Sequence, residues 1–119
     1  MNNCVFCAIG RFDEDVIRGT VLRDLPSAYI MEPLNPVTKG HVLVIPRVHV
    51  SDALDSPRVT GDIMEVAANY ARNVGPCNII TSVGREASQT VMHFHVHIVP
   101  RHKGDGLALP WGKLKENYE

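Results

Sequence analysis

Three histidines, His93, His95 and His97, alternate with apolar residues in Met92-His93-Phe94-His95-Val96-His97-Ile98. On an extended strand, successive side chains point to opposite faces. The three imidazoles then share one face, spaced about 6.5–7 Å apart, while Phe94, Val96 and Ile98 enter the opposite layer. Three imidazoles are a costly inert core, because an unmet buried polar group costs about 1–3 kcal/mol. Nor can three close rings all protonate together. The chemistry open to such a face is metal ligation, nucleophilic and acid–base catalysis, or anion contact. The alternative is a solvent-facing strand that happens to carry histidines. Pro100 and the apolar alternation favour a packed strand instead.

Two further groups can do chemistry. Gly84-Arg85-Glu86-Ala87-Ser88-Gln89-Thr90 leads into the histidine strand. A Gly/Ser loop can turn several backbone N–H groups toward a phosphate, with Gln89 and Thr90 adding side-chain donors. Cys4 and Cys7 have the two-residue gap that lets both thiolates reach one tetrahedral metal. A redox pair with this spacing would want a strand before it and a βαβ setting, and Cys4 has no strand before it. Cys77, inside an expected strand, reads as a small buried residue.

The elements that must position these groups follow from pattern. Cys4 to Arg11 is apolar and suits one or two helical turns. Val16–Arg23, Ala28–Met31, His41–Ile45, Cys77–Val83 and Val91–Val99 read as strands, the third ending at Pro46 and the last at Pro100. Pro33, Pro36 and Gly40 make the stretch between the second and third strands a turn. Ser56 and Pro57 open a helix as N-cap and first residue. Ile63, Val66, Ala67 and Tyr70 give it one buried face, and Gly75-Pro76 ends it. The links from Met31 to His41 and from Val83 to Val91 are too short for parallel crossovers. An α+β fold with a mainly antiparallel sheet of about five strands, one main helix and a short N-terminal helix is expected. Arg101, His102 and Lys103 read as a solvated turn, and Trp111 as a residue that needs cover.

Composition bounds the setting. With 119 residues, one domain over 1–119 is expected. Twelve basic residues against thirteen acidic ones leave no broad positive field for long nucleic acid. No apolar run is long enough to cross a membrane. The N-terminus lacks the basic start and apolar stretch of a secretory signal, and three cysteines are an odd count for a disulfide framework. A cytoplasmic location is expected.

The run from Gln89 to Arg101 closely resembles the signature of the histidine triad (HIT) family: Gln, then histidines alternating with apolar residues, then Pro-Arg. Asn35 to His49 and the N-terminal Cys4-Val5-Phe6-Cys7 match in similar order, the latter as in bacterial members. The resemblance implies a compact α+β fold, a homodimer, and a purine nucleotide or nucleotide conjugate as partner, cleaved at the α-phosphorus. It implies that His95 attacks phosphorus, that His97 donates to phosphate oxygens, and that His41 orders the cluster. It places Gln89 and Thr90 against phosphate or leaving group. It also implies a structural Zn²⁺ held by Cys4, Cys7, His49 and His93.

The chain departs from that pattern at three places. Ser82 stands where Asn or Gln is common, and Ser88 where Gly is usual. Pro33 stands where Asp or Asn grips the ribose, with Glu32 beside it as a substitute. Substrate contacts are thus expected from Glu32, Ser82, Ser88, Gln89, Thr90 and His97. Two other functions compete: a nucleotide-binding protein with little turnover, motivated by Pro33 and Ser82, and a metalloenzyme whose histidine cluster holds a catalytic metal.

Overall fold

The computed structural model describes residues 4–11 and 19–110. Residues 16–18 of the expected first strand, and Trp111, lie outside the described residues. The element order is α1 (Val5–Gly10), β1 (Thr20–Asp24), β2 (Ala28–Glu32), β3 (Val42–Pro46), α2 (Pro57–Ala71), β4 (Cys77–Ile80) and β5 (Val96–Pro100), with one 3-10 turn at Arg85–Ala87. The strands form one antiparallel sheet in the order β1-β2-β3-β5-β4. None of the described helices is long and apolar enough to cross a membrane.

Strand alternation sorts the core into two layers. Ala28 and Ile30 of β2, Val42 and Val44 of β3, and Val96 and Ile98 of β5 face α2, meeting Ile63 and Ala67, with Phe94 beside them. Val66 and Tyr70 pack against this cluster, so the helix stripe is core. Ser56 caps α2, its side chain accepting from Val59 N at 3.3 Å. On the other sheet face, Tyr29, Met31, Leu43 and Ile45 meet Phe6 and Ile9 of α1.

Most strand limits shift by a residue or more from expectation, and three of the shifts have a visible cause. The last strand begins at Val96, not Val91, because residues 91–95 find partners outside the sheet ladder. Phe94 N donates to Val50 O at 2.7 Å, and Gln89 Nε2 donates to Val91 O and Ser51 O. Cys77–Val83 shortens to Cys77–Ile80, and Thr81 Oγ1 instead donates to His95 O at 2.8 Å. His41 precedes β3 and turns its ring to the Val37 amide.

Arg101 is not a solvated turn residue. Its guanidinium donates to both Asp105 oxygens, Asn78 Oδ1 and Leu107 O. It therefore clips the segment after β5 onto β4. Cys77 is half-buried against the α2 core.

Candidate active site and metal cluster

The segment before β5, the loop after β3 and the start of α1 bring four donors together. Cys4 Sγ, Cys7 Sγ, His49 Nδ1 and His93 Nδ1 lie within 4.8 Å of one another. Cys4 Sγ is 3.2 Å from His93 Nδ1, Cys7 Sγ is 3.3 Å from His49 Nδ1, and the two Nδ1 atoms are 3.1 Å apart. Tetrahedral zinc with two sulfur and two nitrogen ligands needs ligand separations of about 3.3–3.8 Å. These three separations are within a few tenths of an ångström of that frame, no pair of donors exceeds 4.8 Å, and the donor chemistry fits a closed structural site. His93 Nε2 lies 2.8 Å from Pro46 O. A carbonyl only accepts, so Nε2 carries the hydrogen and Nδ1 keeps its lone pair toward the cluster. Burial, with the neighbouring His49 and His95 rings, pushes the His93 pKa down to about 4 against the opposing bond to Pro46. The ring is neutral, as a ligand must be.

The same logic fixes the other rings. His95 Nδ1 lies 2.8 Å from His93 O, so Nδ1 carries the hydrogen and Nε2 keeps its lone pair. Val37 N donates to His41 Nδ1 at 3.0 Å. In neutral His41 the hydrogen is then on Nε2, which donates to His97 Nδ1 at 3.0 Å. His97 therefore carries its own hydrogen on Nε2. Burial lowers the pKa of His41 and His95, and burial with the His95 and His41 rings pushes His97 down to about 4. The chain of bonds delivers one free lone pair on His95 and one N–H on His97, with the ring centroids 5.1 Å apart.

These two rings line a cavity of about 520 Å³, a size ordinary for a small-molecule site. Val5, Phe6 and Ile9 of α1, with Met31 and Leu43 of the sheet, form its apolar wall. His41, His95, His97 and Thr90 lie at the polar end, and Pro33 and Asn35 also border it.

A HIT domain model matches residues 14–104. The chain belongs to the HIT family. Among HIT relatives, protein hit of Bacillus subtilis is 29% identical, spanning 98% of this chain and 84% of that protein. The adenosine 5'-monophosphoramidase hnt1 of Schizosaccharomyces pombe is 30% identical over 92% of this chain and 83% of its own length. The crystal structure of a HIT family protein from Bacillus anthracis is similar at TM-score 0.80 and 31% identity, covering 99% of this chain and 87% of that one. The five-stranded antiparallel sheet with two helices is the HIT fold.

Within this HIT fold the expected contact residues divide. Thr90, His41, His95 and His97 border the cavity, whereas Glu32, Ser82, Ser88 and Gln89 are not among its lining residues. Glu32 continues the β2 alternation on the face of Ala28 and Ile30, away from the cavity. Gln89 is buried and fully engaged: Oε1 accepts from Gly84 N, and Nε2 donates to Ser51 O and Val91 O. It braces the loop and has no hydrogen left for phosphate. Four amides of the expected anion nest are also engaged. Gly84 N is held by Gln89, Ala87 N and Gln89 N donate to Gly84 O, and Ser88 N donates to Arg85 O. The short 3-10 turn satisfies these amides internally.

For the catalytic-metal alternative, this geometry leaves His95 Nε2 as the lone pair facing the cavity. The His93 lone pair points to the sulfurs, His95 Nδ1 is bound to a carbonyl, and the His41 and His97 Nδ1 atoms accept hydrogen bonds. Sequence reasoning missed the apolar wall and the backbone acceptors Pro46 O and His93 O. Only the apolar Val5 and Phe6 inside the cysteine pair hinted at the wall.

Proposed function

We propose that this HIT protein cleaves nucleotide conjugates at the α-phosphorus through a covalent nucleotidyl-His95. The observation that carries the reading is the His95 Nδ1 bond to His93 O, which leaves the Nε2 lone pair free in a ring that lines the cavity. Burial keeps that ring neutral, as a nucleophile requires.

The base and sugar lie along the apolar wall, with the phosphate at the histidine end. His95 Nε2 attacks phosphorus, and the bond from phosphorus to the leaving amine or oxygen breaks. The leaving group departs with a proton from water. His97 Nε2–H donates to a phosphoryl oxygen as negative charge builds, and His41 holds His97 in the donating tautomer. Water then attacks phosphorus as the bond from phosphorus to Nε2 breaks, its proton neutralises the hydroxide left by the first step, and the nucleotide departs with the lone pair returned to His95. Thr90 is the remaining side-chain donor near the phosphate; Glu32, Ser82, Ser88 and Gln89 have only supporting roles. When bound, zinc at Cys4, Cys7, His49 and His93 supplies a structural tie between α1 and the histidine segment. The S. pombe relative's name supports a phosphoramidate as substrate. A cytoplasmic homodimer completes the reading.

Intact-protein mass spectrometry after rapid quenching without acid tests it, using adenosine phosphoramidate and, separately, a diadenosine polyphosphate. A transient nucleotidyl adduct is expected in the wild type and absent in His95→Ala, whose fold and zinc content stay unchanged. An adduct that persists in His95→Ala removes His95 as nucleophile. Nucleotide binding with neither adduct nor turnover makes the chain a nucleotide-binding protein instead.

A further inference from the structure

Phe6 sits inside the cysteine pair and is 6% exposed. Its ring meets two histidines at once. The centroid lies 5.1 Å from His95 with the planes at 82°, and 5.9 Å from His93 at 79°. Edge-to-face pairs at such separations are attractive and directional beyond the area they bury.

The His95 ring needs a second constraint. Its hydrogen bond to His93 O decides which nitrogen carries the hydrogen. Rotation about the last torsion of a histidine is soft, however. A single bond at Nδ1 lets the ring pivot there and swing Nε2. We propose that Phe6 is a positioning residue for His95, holding the plane of its ring so that Nε2 stays aimed at the substrate phosphorus. The proposal rests on His95 as the nucleophile.

The helix that carries Phe6 is held at three places. The buried Tyr29 hydroxyl donates to Phe6 O at 2.6 Å, and Arg47 Nη1 donates to Gly10 O at 2.6 Å. Cys4 and Cys7 flank Phe6 with their sulfurs in the metal cluster. The cluster thus reaches His95 by two routes, through His93 O and through the Phe6 ring.

Phe6 also lines the cavity, so the experiment must separate lining from positioning. Phe6→Leu and Phe6→Met remove the ring and keep apolar bulk, while Phe6→Tyr keeps the ring. In imidazole nitrogen–proton NMR spectra, wild type and Phe6→Tyr are expected to show one sharp Nδ1–H signature for His95. The two ringless variants are expected to show it broadened or mixed. With adenosine phosphoramidate at saturation, adduct formation is expected to slow about tenfold in the ringless variants, with KM within about threefold. Phe6→Tyr, which keeps the ring, is expected to slow adduct formation less than the ringless variants do. A loss confined to KM, an unaltered His95 spectrum in the ringless variants, or equal slowing in Phe6→Tyr overturns the proposal. The spectra need no turnover. A wild type that forms no adduct defeats the nucleotidyl-transfer reading, and the spectra still decide the role of Phe6.

Discussion

Ser88 has φ 74° and ψ 22°, the sole non-glycine residue at positive φ among those described. The resemblance expects glycine there, and the backbone shows why. A side chain in the left-handed region costs about 1–2 kcal/mol. Glycine would lose about 0.4–1 kcal/mol more chain entropy on folding. The strain outweighs that entropy, so Ser88→Gly is expected to stabilise the protein by about 0.5–1 kcal/mol. Urea unfolding checks it, and an unchanged or lower midpoint refutes it. At His97 the physics concerns a proton. Its pKa is about 4 in the fold against an ordinary 6.5. Between those values the unfolded chain binds the proton and the folded chain does not. The stability this gives is full above about pH 6.5 and declines as pH falls toward about 4. His97→Asn is expected to have a shallower loss of urea midpoint across that window than wild type. Parallel curves rule out a buried neutral His97.

Helix α1 has six residues, too few to persist by itself in water. Its position comes from what it touches: the Tyr29 hydroxyl, the Arg47 guanidinium and the Cys4/Cys7 corner of the cluster. Arg47 also donates to Leu25 O and pairs with Asp24, which ties α1 to the β1–β2 turn. Tyr29→Phe is expected to cost about 1 kcal/mol by thermal melting, the value of one hydrogen bond. Removing the metal with a chelator is expected to raise hydrogen exchange over residues 4–11 while α2 stays protected. Exchange that rises equally in both elements makes the tie global rather than local. Helix α2 stands apart because its Ile63 and Ala67 are buried against the sheet without any metal.

At the scale of the molecule, the sheet has two unlike faces. One is sealed by α2. Among the described residues, the other is only partly covered by α1, and the part they leave uncovered is the cavity. β5 lies between β3 and β4, with His97 paired to Leu43 on one side and Ile80 on the other. That central place buries the histidine end and keeps its rings neutral. A ligand held only by the folded state must stabilise it, by about 2.7 kcal/mol at a hundred times its Kd. Adenosine monophosphate is therefore expected to raise the melting temperature of the wild type. His95→Ala keeps most of this shift, because the apolar wall is intact. No shift in either protein removes the nucleotide from the cavity.

The sequence determined whatever depends on local period and residue chemistry. The alternation around His93, His95 and His97 set their common face even though the ladder starts only at Val96. The apolar stripe and the Ser56 cap set α2. The short links set an antiparallel sheet, and the motif set the family. Tertiary structure decided what depends on partners far apart in the chain. Which nitrogen of each histidine bears hydrogen is fixed by Pro46 O, His93 O and Val37 N. The turn amides near Gly84 looked free for phosphate, but Gln89 and the turn itself take those of Gly84, Ala87, Ser88 and Gln89. Glu32 looked near enough to replace a ribose ligand, but strand alternation turns it to the other face. Hydrogen-bond capacity is used once, and a sequence shows the donors without showing who has already taken them.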